Sequence, residues 1–233
     1  MKNIKKIINI ILIAIIVFSL SKVAVKEYNY YKDNKNHEAI MFFKPVVSDM
    51  SEKSNEDSSI KNINEDYIFW INIPDTEIDY PVVQGDDNEY YLNNNFYKEE
   101  SISGTIFLDS SNNINDKNLI LYGHNMRNGS MFNNINYFKN EESFKDGIIK
   151  LIMDNKEYVY EIFSVFIVNG DENSIKNKFN SDDEYYEYIY YLKEKSMFNK
   201  EVENSDFSKI ITLYTCSYEY DDARTIVCGT LIN

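Results

Sequence analysis

The sequence predicts a mostly β domain, about eight strands forming a mostly antiparallel barrel or closed sheet, with helices packed outside. Three observations predict it. Short runs of β-branched and aromatic residues recur through the last two thirds of the chain, punctuated by Pro, Gly, Asp and Asn. Two intervening segments read as helices instead, the second with a clear 3.6-residue apolar period. The N-terminal quarter has a different texture, an apolar block followed by a polar one.

The elements follow in order. Residues 7–20, IINIILIAIIVFSL, are almost wholly apolar and are preceded by Lys2, Lys5 and Lys6. The moderately apolar stretch continues to Val25, interrupted by Ser21 and Lys22. Two readings compete. A cleavable signal peptide needs a small-x-small site; Ser19, Ser21 and Ala24 are small, but no A-x-A pattern occurs. A membrane anchor needs about 20 apolar residues, which 7–25 nearly supplies, with Lys22 able to snorkel. The uncleaved anchor is preferred, and the basic start puts the N-terminus inside and the rest outside. The expected organisation is a cytoplasmic tail at 1–6, a transmembrane anchor at 7–25, an extracytoplasmic stalk, partly helical, at 26–60, and a catalytic domain at 61–233. The stalk includes KEYNYYKDNKNHE and SDMSEKSNEDSS and is expected to lift the domain off the membrane. His37, inside it, is expected in solvent. Met41–Val47 (MFFKPVV) is an apolar island that either docks or hangs loose; the sequence does not decide.

Ile60, Ile63, Tyr67 and Trp70 stand at near-helical spacing, so a helix is expected to lead into the domain. Strands are expected at 68–74, 77–84, 104–109, 118–124, 147–154, 157–168, 209–216 and 224–232, with a hairpin across Asn155-Lys156. Helices are expected at 129–140 and 181–198. In the second, Ser181 and Glu184 form a capping box, and Tyr185, Tyr188, Ile189 and Leu192 make an i, i+3, i+4, i+7 stripe. Early acids and late lysines suit its macrodipole.

Composition excludes several classes. The chain is 43% hydrophobic and 15% aromatic, enough for a real core. Lys+Arg number 24 against 38 Asp+Glu, a net charge of −14, which argues against nucleic-acid binding. Two Cys exclude a disulfide-stapled scaffold and a four-Cys zinc site. Asp86-Asp87, Asp182-Asp183-Glu184 and Asp221-Asp222 lack EF-hand spacing and read as solvated faces or caps. No cofactor or metal is expected.

The chemistry lies at strand ends. His124 follows NLILYG, and Cys216 ends KIITLYTC before the polar run SYEYDD. A Cys at a strand end opening into a loop is better exposed than one in mid-strand, such as Cys228. A Cys216–Cys228 disulfide is conceivable outside the cell. Only two Arg occur, Arg127 and Arg224, in a chain that otherwise uses Lys; an Arg suggests a site needing a rigid, permanently charged fork. Arg224 opens the last strand, one loop from Cys216. A thiol needs a base or cationic neighbour to become a nucleophile, and His124 supplies either. A tetrahedral intermediate needs donors at its oxyanion, and Arg224 supplies those. Glu219, Asp221 and Asp222 are all candidates to orient His124.

WINIPDTEIDYPVVQ (70–84), DNEYYL (87–92), GTIFLD (104–109), LYGHN (121–125), TLYTC (212–216) and the Arg224 strand together resemble the sortases, membrane-anchored cysteine transpeptidases of Gram-positive bacteria, most closely class B. The resemblance covers roughly residues 61–233, and the helix at 181–198 looks like the class B insertion. It implies an eight-stranded sortase barrel. It implies that Cys216 attacks the Thr carbonyl of a C-terminal sorting motif, broadly N/S-P-x-T-x, forming a thioester that an amine of peptidoglycan or its precursor resolves. His124 is implied as acid and base, Arg224 as oxyanion donor, and Asn88, Leu92, Tyr122, Tyr214 and Ser217 as substrate-binding positions. The implied partners are surface proteins bearing a sorting signal and the cell membrane. Relatives often carry Ser where this chain has Tyr214, which shares a strand face with Cys216. Two rival readings are a surface cysteine hydrolase using the same residues and a non-catalytic anchored binding module.

Overall fold

The computed structural model describes residues 2–47, 55–172, 174–202 and 206–232. Part of the polar run 48–59 therefore lies outside the described residues. Eight strands close into one barrel in the order β1-β2-β3-β4-β7-β8-β6-β5. They are β1 (Tyr67–Asn72), β2 (Asp79–Val83), β3 (Ile106–Leu108), β4 (Asn118–Tyr122), β5 (Ile148–Met153), β6 (Lys156–Asn169), β7 (Ile210–Cys216) and β8 (Ala223–Leu231). All neighbours are antiparallel except β2 with β3 and β4 with β7. Closure leaves no free sheet edge. Inward residues such as Phe69, Ile71, Val82, Leu119, Leu121, Ile211, Leu213 and Val227 fill the interior.

The hairpin falls one residue earlier than expected. Its two loop residues are Asp154 (φ 51°) and Asn155 (φ 62°), and Lys156 already pairs with Met153. A two-residue turn with both φ positive matches the strand twist, and Asp and Asn adopt that region more readily than Lys.

Four α-helices decorate the barrel: α1 (Lys2–Ile40), α2 (Asn55–Ile63), α3 (Glu141–Lys145) and α4 (Asp182–Lys195). The lead-in helix ends at Ile63. Tyr67 and Trp70 belong to β1, whose barrel pairing overrides their helical spacing. The expected helix at 129–140 is a 3-10 helix, Phe132–Lys139. In α4, Ser181 caps the Glu184 N–H as expected, but the Glu184 carboxylate returns to the N–H of Asn180 rather than Ser181. Tyr185, Tyr188, Ile189 and Leu192 are buried against Phe163, Phe166 and Cys228.

The largest departure concerns the stalk. α1 is one continuous helix, long and apolar enough at its start to cross a membrane. Its far end does not stand free. Tyr30 packs on the barrel core, Ile40 is buried beside Trp70 and Tyr91, and the His37 ring lies 4.3 Å from that of Tyr80. His37 is thus half-buried rather than solvated, and burial pushes its imidazole below the ordinary value. The apolar island docks too. Met41 and Phe43 pack on the same cluster, and Lys44 Nζ lies 2.6 Å from Asp79. Phe42 stays out, 89% exposed. Polar residues on one helix face carry no apolar period, so this docking was invisible to a periodicity argument.

Candidate active site

Register brings three of the expected residues to one end of the barrel. β4 and β7 run parallel with Tyr122 opposite Tyr214, and the Gly123 N–H donates to the Tyr214 carbonyl. Two residues past Tyr122 comes His124, just outside β4, and two past Tyr214 comes Cys216, the last residue of β7. Across the antiparallel β7–β8 pair, Cys216 stands directly opposite Arg224. Side chains opposed this way have Cβ atoms about 5 Å apart. Cys216 is exposed, while His124 and Arg224 are half-buried.

His124 Nε2 lies 2.8 Å from the Leu92 carbonyl. A carbonyl only accepts, so Nε2 carries the hydrogen and the neutral ring keeps Nδ1 as its basic nitrogen. The residue that orients the imidazole is therefore a main-chain carbonyl. The three acidic candidates do other work. Asp222 holds Arg224 Nη2 at 2.6 Å, and Glu219 pairs with Lys139 and the Ser217 hydroxyl. Asp221 is exposed on the same turn.

Arg224 spends Nη1 on the Ala223 carbonyl. Burial works against its charge, but Cys216, Asp222 and Tyr214 favour it, and the guanidinium is held above its usual range. Burial raises the Tyr214 phenol, with Arg224 opposing. The Tyr214 ring meets Tyr122 edge to face at 5.3 Å. Here the larger residue fills space beside Arg224 that a serine would leave open.

The remaining expected positions divide. Tyr122 and Asn88 converge on one buried carboxylate: Asp109 Oδ2 accepts from the Tyr122 hydroxyl at 3.0 Å and from Asn88 Nδ2 at 2.9 Å. Asn88 Oδ1 accepts from the Ser110 N–H, so both ends of its amide are engaged. Leu92 contributes its carbonyl to His124 and its partly buried side chain to the cluster around Tyr91. Ser217 is buried in the β7–β8 turn, its hydroxyl committed to Glu219 and Lys139. Cys228 is mid-strand opposite Thr212, fully buried, and burial pushes its thiol up to about 12. Both thiols are free. Thr212 lies four residues along β7 from Cys216, about 13 Å, beyond disulfide reach.

Sequence reasoning missed two residues. Asn125 is buried; its Nδ2 donates to the Cys216 carbonyl at 2.8 Å and its Oδ1 accepts from Asn133 at 2.7 Å. It ties the end of β4 to the end of β7 just past the last ladder pair. Its place beside His124 in LYGHN was the available signal. Gly104 is the other. It sits at φ 60°, where a Cβ would meet the Leu92 carbonyl oxygen at 2.6 Å and that of Tyr91 at 2.5 Å. Only glycine leaves the His124 acceptor in place. Gly104→Ala is expected to destabilise the domain by about 2–3 kcal/mol, a fall in Tm of about 5–10 °C. It is also expected to cut turnover in the surviving folded fraction. Thermal melts paired with rates normalised to folded protein check both.

Comparison with known proteins adds the following. The sortase domain family matches residues 71–232. The chain is 30% identical to sortase B of Listeria monocytogenes over 97% of this chain and 96% of that one. A mutant form of Clostridium perfringens sortase B has a similar structure, with a TM-score of 0.82 at 40% identity, covering 86% of this chain and 99% of that one. A Staphylococcus aureus sortase B–substrate complex matches with a TM-score of 0.71 at 28% identity, over 88% of this chain and 94% of that one.

Proposed function

The chain belongs to the sortase family, as a class B cysteine transpeptidase, and from that premise we propose that Cys216, His124 and Arg224 carry its reaction on a C-terminal sorting motif of N/S-P-x-T-x type. The Cys216 thiol gives its proton to His124 Nδ1 and attacks the Thr carbonyl carbon as thiolate, and the carbonyl electrons move to oxygen, where Arg224 donates to the oxyanion. The intermediate collapses to a thioester, and His124 Nδ1 gives its proton to the departing amine. An amine of peptidoglycan or its precursor then loses its proton to Nδ1, attacks the thioester and releases Cys216 as thiolate. Atoms balance with no cofactor. Throughout, the Leu92 carbonyl keeps Nε2 protonated and Nδ1 available.

The observation that supports this reading is the register at the barrel end: Cys216 is the cross-strand partner of Arg224, and Asn125, next to His124 in the chain, donates to the Cys216 carbonyl. Tyr122, Tyr214, Asn88 and Leu92 would line the substrate groove from the β4–β7 side, with Ser217 bracing its turn. Tyr214 would narrow the pocket and set motif preference. Residues 7–25 would span the membrane with the N-terminus inside, so the barrel faces the wall and meets surface proteins bearing sorting signals.

The test uses the full chain in detergent with a panel of sorting-motif peptides, with and without triglycine, read by intact mass spectrometry. An acyl adduct on Cys216 that triglycine converts into a peptide–triglycine amide is expected. Release of free acid alone, with triglycine present, would make the protein a hydrolase. No adduct on any peptide, with Cys216 and Cys228 equally slow to alkylate, would sink the assignment.

A further inference from the structure

The far end of α1 and the catalytic imidazole are joined by a short path. Residues 91–105 form a tight hairpin: Ser101 N–H donates to the Asn93 carbonyl, Asn95 N–H to Glu99, Thr105 N–H to Tyr91, and the Thr105 hydroxyl to Asn94. Asn95 Oδ1 gathers the N–H groups of Tyr97 and Glu99. One end of this hairpin carries the Leu92 carbonyl that holds His124 Nε2. The other passes through Gly104, packed directly on that carbonyl. α1 grips the same hairpin at two points. The Ser103 hydroxyl donates to Asp33 Oδ2 at 2.7 Å, and Lys32 Nζ lies 3.0 Å from Glu99.

The grip on the hairpin itself is polar. A cavity of about 60 Å3 runs between helix and barrel, walled by Asp33, Asn36, His37, Tyr80, Ser103 and Met131. Asn36 Nδ2 and His37 Nδ1 are buried there without a protein partner. Polar seams of this kind release more readily than packed apolar ones.

We propose that the membrane-distal end of α1 is a positioning element for His124: Asp33, through Ser103 and the 91–105 hairpin, fixes the Leu92 carbonyl and thereby the orientation of the imidazole. A chain whose helix is docked has an aligned base; one whose helix has let go does not. The anchor is then part of the active-site scaffold. The inference rests on the acid–base role of His124 given above, so its test includes a readout independent of turnover.

The chain has only two His, so both imidazoles are separable by NMR in the full-length protein labelled with 13C-histidine in detergent, with His37→Gln giving the assignment. His37, packed against the Tyr80 ring and near Asp79, Glu38 and Glu77, reports docking. His124 reports the site. Asp33→Ala and Ser103→Ala are each expected to raise the His37 titration midpoint toward its ordinary value and to move the His124 ring-carbon resonances as its hydrogen bond to Leu92 loosens. In turnover, kcat is expected to fall about fivefold with the peptide KM unchanged. Asp33→Asn, which keeps an acceptor for Ser103, is expected to restore both. Movement of His37 with His124 unaltered would show a helix that merely packs, and would overturn the proposal. So would two unmoved resonances, or a rise in KM at constant kcat. A wild-type protein without transpeptidase activity whose His124 still follows Asp33 would overturn the proposed function while leaving the coupling intact.

Discussion

Cys216→Ala is expected to lower transpeptidation by about 10^4-fold or more, while Cys228→Ala keeps most of it. The two thiols sit on adjacent strands of one sheet but in opposite environments. Cys216 ends β7, exposed, with Arg224 as its partner across the ladder. The thiolate is the species that attacks carbonyl carbon, and an exposed strand end gives it access to substrate. Cys228 is enclosed by the α4 cluster, including Tyr188 and Phe163. Its thiol, pushed up to about 12, stays protonated and unreactive across the working pH range. Its removal costs packing rather than chemistry: about 1 kcal/mol for a small buried side chain. Iodoacetamide at pH 8 is therefore expected to label Cys216 alone in the folded protein and both cysteines in denaturant. Turnover assays on the two variants, with melts to normalise for folding, check the asymmetry. Comparable losses in both would remove Cys216 from its role.

Arg224→Lys is the second large effect, with kcat expected to fall about 10^2–10^3-fold while the fold survives. One guanidinium serves several partners at once. Nη2 pairs with Asp222, Nη1 donates to the Ala223 carbonyl, and the side chain neighbours Tyr214 and Cys216. The loop opposite is shaped around it: a Cβ on Gly170 would meet Asp222 Oδ2 at 2.5 Å and Arg224 Nη2 at 2.8 Å. A lysine ammonium keeps the charge but loses the planar fork, so it cannot hold Asp222 and aim donors at an oxyanion together. The defect is expected in the acylation step. Single-turnover formation of the Cys216 adduct, followed by mass spectrometry, should slow by the same factor as kcat. Retention of full acylation rate in Arg224→Lys would mean that charge alone suffices there.

The strands and α4 were legible because each has a local signature. β7 reads IITLYTC, a run of β-branched and aromatic residues bounded by a charged start and a polar loop, and that composition is the same whether or not the barrel closes. The stripe Tyr185, Tyr188, Ile189, Leu192 names the buried face of α4 before any partner is known. The near-helical spacing carried the expected lead-in helix past its end at Ile63 to Tyr67, because spacing alone cannot tell a helix lead-in from a strand whose residues are buried on both faces; Trp70 lies in the strand expected at 68–74. His37 was misread as solvated because its burial comes from Tyr80, more than forty positions away in the chain. The orienting group of His124 was sought among the acids of the β7–β8 turn. It is a backbone carbonyl, and backbone atoms leave no mark in composition.

By itself the sequence determined most of the strands and α4, named Cys216, His124 and Arg224 as the candidate site with Cys228 set apart from it, and pointed to the family. These are properties of residue type and near-neighbour pattern, and they persist in any frame that keeps the order of motifs. Only the tertiary structure decided the register that sets Cys216 opposite Arg224, the tautomer that Leu92 imposes on His124, the Asp109 hub beneath Tyr122 and Asn88, and the docking of α1 on the barrel. Each of those depends on distances between segments far apart in the chain. Such distances are fixed when barrel closure and core packing select one arrangement, and no local pattern encodes them.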